Sequence, residues 1–169
     1  MILIVMGVSG SGKTTLATTL AKLTGWQFAE GDDYHSEANR QKMHSGVPLT
    51  DEDRAPWLAT LHELIVQWHE RGGNGILTCS ALKRVYRETL AADLPADAFR
   101  FVLMEAPKEV ISQRMQTRQH FMPAELLDSQ IATLEPPADA LHVSALDTPE
   151  IAARKVLESL GIAPLTQTN

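Results

Sequence analysis

Short, largely apolar runs recur along the chain at residues 2–6 (ILIVM), 27–30, 76–80, 100–104 and 141–144. Runs of this length bounded by turn-forming residues predict strands buried in a sheet. Between them, residues 15–23, 57–70 and 108–117 carry apolar positions at helical spacing. Strands alternating with helices predict an α/β fold built on a parallel sheet. Gly72-Gly73-Asn74-Gly75 and Pro136-Pro137 read as turns, and the chain turns polar after Gly161. Without a repeat, a low-complexity tract or a dividing linker, residues 1–162 read as a single domain and 163–169 as a flexible tail.

A chain of 169 residues supplies one well-buried core and too little for two ordinary ones. Its formal charge of -6 disfavours broad attraction to nucleic acid or an anionic membrane, so small molecules are the expected partners. The apolar start lacks a basic flank and is too short for a leader, and no later run is long enough to span a bilayer. A single cysteine, Cys79, excludes an intrachain disulfide and suits a reducing compartment, which points to the cytoplasm.

Ligands of parallel α/β sheets bind beyond the carboxyl ends of the strands, so the residues after each apolar run carry the chemistry. After the first run comes GVSGSGKTTL, residues 7–16, in which Gly7, Gly12, Lys13 and Thr14 fit G-x-x-x-x-G-K-[ST] and Gly10 adds a further glycine. Small residues let main-chain N–H groups curl round an anion, and the following helix aims its positive end at the same place. A plain connecting turn needs neither that lysine nor that hydroxyl. Gly7, Ser9, Gly10, Ser11, Gly12, Lys13, Thr14 and Thr15 are therefore the expected nucleotide-binding residues, with Lys13 on the terminal phosphates and Thr14 on magnesium. ATP and Mg2+ are the expected cofactors.

After the second run stands Glu30-Gly31-Asp32-Asp33-Tyr34-His35. Phosphoryl transfer to an alcohol needs one carboxylate to take the hydroxyl proton and others to hold the metal. Asp32 is assigned the first role and Glu30 a place near the metal, while Asp33 reads as a solvated turn residue. Residues 35–57 are too polar for a core and read as a helical flap over an acceptor. Within them Arg54 can grip a carboxylate with two parallel bonds, although an ion pair with Asp51 or Asp53 is the alternative. The third run ends in CSALK followed by RVYR, which puts Lys83 and Arg87 one helical turn apart, either to share an anion or to form a solvated face. Cys79 there reads as a small buried side chain. The usual Walker B aspartate is missing from ILTCS, so the metal-binding carboxylate must come from the acidic cluster. Arg114 and Arg118 sit four apart near a helix end, placed either to cover the nucleotide phosphates on a moving lid or simply to complement the helix dipole. The histidines show no compact ligand spacing, and no structural metal is expected.

Five stretches together, GVSGSGKTT, EGDDYH, NRQKMHSGVPLTDEDRAPWL, CSALKRVYR and RQHFMPAELLDSQIATLEP, resemble the bacterial gluconate kinases, small relatives of shikimate and nucleoside monophosphate kinases. The first stretch is shared by a vast superfamily, whereas DEDRAPWL, CSALK and HFMPAELLDSQ are selective. The resemblance spans residues 1 to about 161 and implies a P-loop kinase fold: a five-stranded parallel sheet flanked by helices, with a mobile lid. On that reading the acceptor segment is about residues 33–60 and the lid about 114–135. It further implies ATP-dependent phosphorylation of D-gluconate on its 6-hydroxyl, and commonly a homodimer. Matched residue by residue, Lys13 and Thr14 fall on the phosphate loop, Asp32 on the G-D aspartate, Arg54 on the arginine before P-W-L, Lys83 on the CSALK lysine and Arg118 on the lid arginine. Glu30 stands where these kinases often have aspartate. Arg54 with Lys83 or Arg87 would orient the gluconate, Asp32 would accept the proton, and Lys13 and Arg118 would assist the moving phosphoryl group.

Two other classes compete. Shikimate kinases usually carry a Gly-Gly-Gly turn after the third strand, where this chain has Cys79-Ser80-Ala81. A GTP-dependent switch usually carries N-K-x-D for base recognition, a motif that does not occur here.

Overall fold

The first strand, β1 (Ile2–Met6), is buried along its whole length because it lies at the centre of the sheet and is covered on both faces. In the computed structural model, which describes residues 1–117 and 124–165, five strands run in the order β2-β3-β1-β4-β5. The others are β2 (Gln27–Glu30), β3 (Gly75–Thr78), β4 (Phe99–Glu105) and β5 (Leu141–Ser144). Every pairing is parallel: Ile4 lies opposite Leu77 of β3 and Phe101 of β4, Ala29 opposite Leu77, and Met104 opposite Val143.

The helices are α1 (Lys13–Thr24), α2 (Glu37–His44), α3 (Asp51–Glu70), α4 (Arg84–Leu90), α5 (Lys108–Thr117), α6 (Ala124–Thr133) and α7 (Pro149–Ser159). Side chains alternate across β1 and so feed two cores. Ile2, Ile4 and Met6 join Trp57, Leu61, Ile65 and Trp68 of α3 on one face. Leu3 and Val5 join Leu16 and Leu20 of α1 and Val156 and Leu157 of α7 on the other. A smaller cluster of Val8, Leu82, Ile111, Met115 and Leu127 lies where the loop after β1 meets α5 and α6.

Strand order fixes where a ligand can sit. β1 continues to β2 on one side of the sheet, whereas the chain passes from β3 across to β4 on the other, so the crevice opens at the carboxyl end of β1. The glycine-rich loop leaves the sheet there.

Several boundaries differ from the sequence reading. β3 stops at Thr78, short of residue 80, because Ala81 turns the chain with φ +45. α3 begins at Asp51, well before residue 57, since Thr50 caps it and Asp53 completes a reciprocal capping box. Inside the stretch expected as a flexible tail, the Leu165 N–H donates to the Leu23 carbonyl at 2.7 Å; residues 166–169 lie outside the described residues. The expected lid includes residues 118–123, which also lie outside them.

Candidate active site

The loop between β1 and α1 is shaped by backbone that only glycine adopts readily. Gly7 has φ +136, and a Cβ there would stand 2.8 Å from the Met104 carbonyl oxygen, so even alanine would collide with β4. α1 starts directly from Gly12 with no side-chain cap, which leaves its first-turn N–H groups for an anion. Lys13 Nζ donates to the Val8 carbonyl at 3.1 Å, folding the lysine back over its own loop. Desolvation pulls this ammonium below its ordinary pKa, while the charges of Asp32 and Glu30 act the other way. Ser11 is fully buried beneath the loop, and its Oγ has no partner among the described residues.

Beside the loop, Thr14 Oγ1 donates to Glu30 Oε2 at 2.7 Å. The other Glu30 oxygen accepts from the Thr78 hydroxyl, and Thr78 Oγ1 accepts from the Gly31 N–H at 3.2 Å. Glu30 is therefore held in place by β3 while facing the P-loop hydroxyl. A threonine hydroxyl and a carboxylate are hard oxygen donors of the kind magnesium takes. Among the described residues no three His, Cys, Asp or Glu side chains converge.

The turn after β2 has little freedom. A Cβ at Gly31 would lie 2.1 Å from the Thr78 carbonyl oxygen, and the Gly31 carbonyl accepts from Trp57 Nε1 at 2.8 Å. The Trp57 indole also stacks on His35, with ring centres 4.1 Å apart. One α3 side chain thus pins both flanks of Asp32. Asp32 itself stays open, its side chain 71% exposed, with His35 Nε2 3.9 Å from its carboxylate. Burial, then the charges of Arg54 and Arg40, hold the His35 pKa down at about 4.

Asp32, Lys13 and Ser9 share a cleft of about 250 Å³ with Arg54, Lys83 and Gln130. Both cations lie near the Tyr86 ring, Arg54 at 5.6 Å and Lys83 at 5.5 Å from its centre. Lys83 donates to both oxygens of Asp51, at 2.9 and 3.0 Å, and the Tyr86 hydroxyl donates to the same carboxylate. Those bonds hold the Asp51 pKa below its ordinary value and the Lys83 pKa above. Asp53 is engaged by Lys42 at 2.7 Å. Among the described residues Arg54 has no ion pair, so neither aspartate occupies its guanidinium.

A second hollow, about 300 Å³, opens on the other side of the loop and is lined by Gly12, Thr15, Met104, Arg114, Ala145 and Pro149 among others. Arg114 crosses it, donating to the Ser11 carbonyl at 3.3 Å and the Ala145 carbonyl at 2.7 Å. With apolar walls and its mouth at the start of α1, it suits a flat heterocycle attached to phosphates in the loop.

Most of the residues singled out from sequence therefore meet at one sheet edge. Arg87 does not line the cleft that holds Asp32 and Lys13. It is buried, and its Nη1 donates to the Ala81 and Leu82 carbonyls at 2.9 and 3.1 Å, bracing the turn that presents Lys83. Arg118 lies outside the described residues. Cys79 is buried in apolar surroundings that push its thiol up to about 12. Sequence reasoning missed Asp51, Trp57, Tyr86 and Gln130 as parts of the site, along with the Ala145–Pro149 wall. For Trp57 and Tyr86 a signal existed, since each sits one helical turn from a residue already singled out, Arg54 at i−3 and Lys83 at i−3. Gln130 closes the selective stretch HFMPAELLDSQ but had no role assigned to it, and the Ala145 region carried no signal.

A family profile described as an AAA domain matches residues 2–137. The gluconokinase of Gluconobacter oxydans (strain 621H) is 50% identical over 163 residues, 94% of this chain and 88% of that protein. Among solved structures, an unliganded sugar kinase from Janibacter sp. HTCC2649 superposes with a TM-score of 0.86 at 46% identity, covering 99% of this chain and 98% of that one. A gluconokinase from Sinorhizobium meliloti 1021 does so with a TM-score of 0.83 at 39% identity, covering 94% and 90%. With a phosphate loop at the switch point of a five-stranded parallel sheet and identity of this extent to named gluconokinases, the chain belongs to the gluconokinase family of P-loop kinases.

Proposed function

We propose that this protein transfers the γ-phosphoryl group of ATP to the 6-hydroxyl of D-gluconate, giving 6-phospho-D-gluconate and ADP. The observation that carries the reading is the single cleft in which the phosphate-loop residues Ser9 and Lys13 face Asp32, Arg54 and Lys83. An anionic polyol fits that lining. Arg54, which has no ion pair among the described residues, grips the carboxylate, and Lys83, steadied by Asp51, bonds the chain hydroxyls. The 6-hydroxyl then lies toward the loop beside Asp32.

Asp32 takes the hydroxyl proton as the new oxygen–phosphorus bond forms and the bond to the ADP oxygen breaks. Loop amides from Gly7 to Thr15 and the Lys13 ammonium hold the phosphate chain, and the Arg114 hollow receives the base. Thr14, with Glu30 close by, would hold magnesium, which would neutralise charge on the phosphates. Arg118 matches the family's lid arginine, and we assign it to the transferring group. Cytoplasmic residence and a homodimer belong to the same proposal and rest on the family resemblance; among the described residues no helix is long and apolar enough to cross a membrane.

The test is ADP release with ATP and magnesium, run with gluconate, shikimate, a nucleoside monophosphate and no acceptor. Stimulation by gluconate alone supports the reading. Stimulation by another acceptor, or hydrolysis indifferent to acceptor, contradicts it.

A further inference from the structure

Gln130 of α6 clasps the phosphate loop. Its Oε1 accepts from the Ser9 main-chain N–H at 2.8 Å, and its Nε2 donates to Ser9 Oγ at 3.2 Å. The two bonds join residues 121 apart in sequence. A phosphate loop works by presenting main-chain N–H groups to phosphate oxygens. In this structure the N–H of the loop residue Ser9 is already taken by the Gln130 carboxamide oxygen. An N–H has one proton to give, so Gln130 and a phosphate oxygen compete for it. The charged acceptor forms the stronger bond.

From these contacts we infer that Gln130 is a nucleotide-gated binding residue for the acceptor: it holds Ser9 until the triphosphate arrives, then turns its carboxamide to the acceptor's hydroxyls. The inference rests on the kinase reading above and specifies how its two substrates are coupled. Gln130 is half-buried and lines the same cleft as Asp32, Arg54 and Lys83, so a released carboxamide has polyol hydroxyls within its reach. An amide both donates and accepts, which matches hydroxyls that do the same. Nucleotide binding then raises acceptor affinity, and by linkage the acceptor raises nucleotide affinity by the same factor.

The experiment is calorimetry of full-length wild-type, Gln130→Ala and Gln130→Glu proteins. Gluconate is titrated with and without a non-hydrolysable ATP analogue and magnesium, and the analogue is titrated alone. For the wild type, the analogue should tighten gluconate binding by about fivefold to tenfold, the contribution of one or two hydrogen bonds. Gln130→Ala should abolish that coupling while binding the analogue alone as tightly as the wild type or tighter, because the competitor is gone. Gln130→Glu keeps an acceptor for Ser9 but sets a negative charge against the phosphates, and should weaken binding of the analogue alone by about tenfold. Equal coupling in all three proteins, or parallel loss of analogue and gluconate binding in Gln130→Ala, overturns the inference. Turnover of the wild type with gluconate is recorded on the same preparation. Its absence defeats the kinase reading, whereas normal turnover with unaltered coupling defeats only the role of Gln130.

Discussion

At Gly31 a methyl group would stand 2.1 Å from the Thr78 carbonyl oxygen, so β2 and β3 leave room for glycine alone before the proposed base. Gly31→Ala should cost about 1–3 kcal/mol, seen as a fall of about 2–4 °C in Tm per kcal/mol for a domain of this size, and should displace Asp32. An unchanged Tm would show that the turn can relax. Asp32→Asn removes the proton acceptor and keeps the shape. Its kcat should fall by about 10²–10⁴-fold with little change in either KM, checked by steady-state kinetics. Near-normal turnover would remove Asp32 from the role. Both residues were legible in the sequence, since a carboxylate after Gly at a strand end carries its own chemical signal. Arg87 was misplaced because one-turn spacing from Lys83 reports only that two side chains can share a face. Its burial against the Ala81 and Leu82 carbonyls depends on the positive φ of Ala81, which no residue type announces.

Besides presenting Arg54 to the cleft, α3 braces the turn that carries Asp32. Thr50 and Asp53 fix where it starts, Leu58, Leu61 and Ile65 bury it against β1, and Trp57 then reaches both Gly31 and His35. Because His35 is buried and faces the charges of Arg54 and Arg40, its pKa is lowered from 6.5 to about 4 in the folded protein. The unfolded chain therefore binds the extra proton between those values, and stability falls as pH drops through that window by about 1.4 kcal/mol per pH unit. The slope fades as pH rises through 6.5, where the unfolded histidine also loses its proton. Urea unfolding at pH 7 and pH 5 should show about 2 kcal/mol less stability at the lower pH. His35→Phe, which preserves the stack, should remove most of that difference; an equal difference in both proteins would assign it elsewhere. The helical run of α3 from Trp57 onward was readable from its apolar spacing. Its first turn was read only as part of a polar helical flap over residues 35–57, because Asp51-Glu52-Asp53-Arg54 has no apolar periodicity to join it to that run, and the cap at Thr50 marks its start.

For the whole molecule, the class of fold followed from strand–helix alternation, but the order β2-β3-β1-β4-β5 did not, since periodicity says which face of a strand is buried and not which strand lies beside it. That order makes one site of scattered motifs: it sets the loop after β1 between the turns ending β3 and β4, and brings Glu30 within 2.7 Å of Thr14. The hollow we assign to the nucleotide is lined by Gly12 and Thr15 and the cleft we assign to the acceptor by Ser9 and Lys13, so the loop borders both, as transfer between two bound substrates requires. The most direct test of this arrangement is phosphorus–proton correlated NMR on the product formed from ATP, magnesium and gluconate. The account predicts a phosphorus coupled to the protons on carbon 6 of the sugar acid, with ADP formed in equal amount. Phosphate on another carbon, or ADP formed with free phosphate and unmodified gluconate, would contradict it.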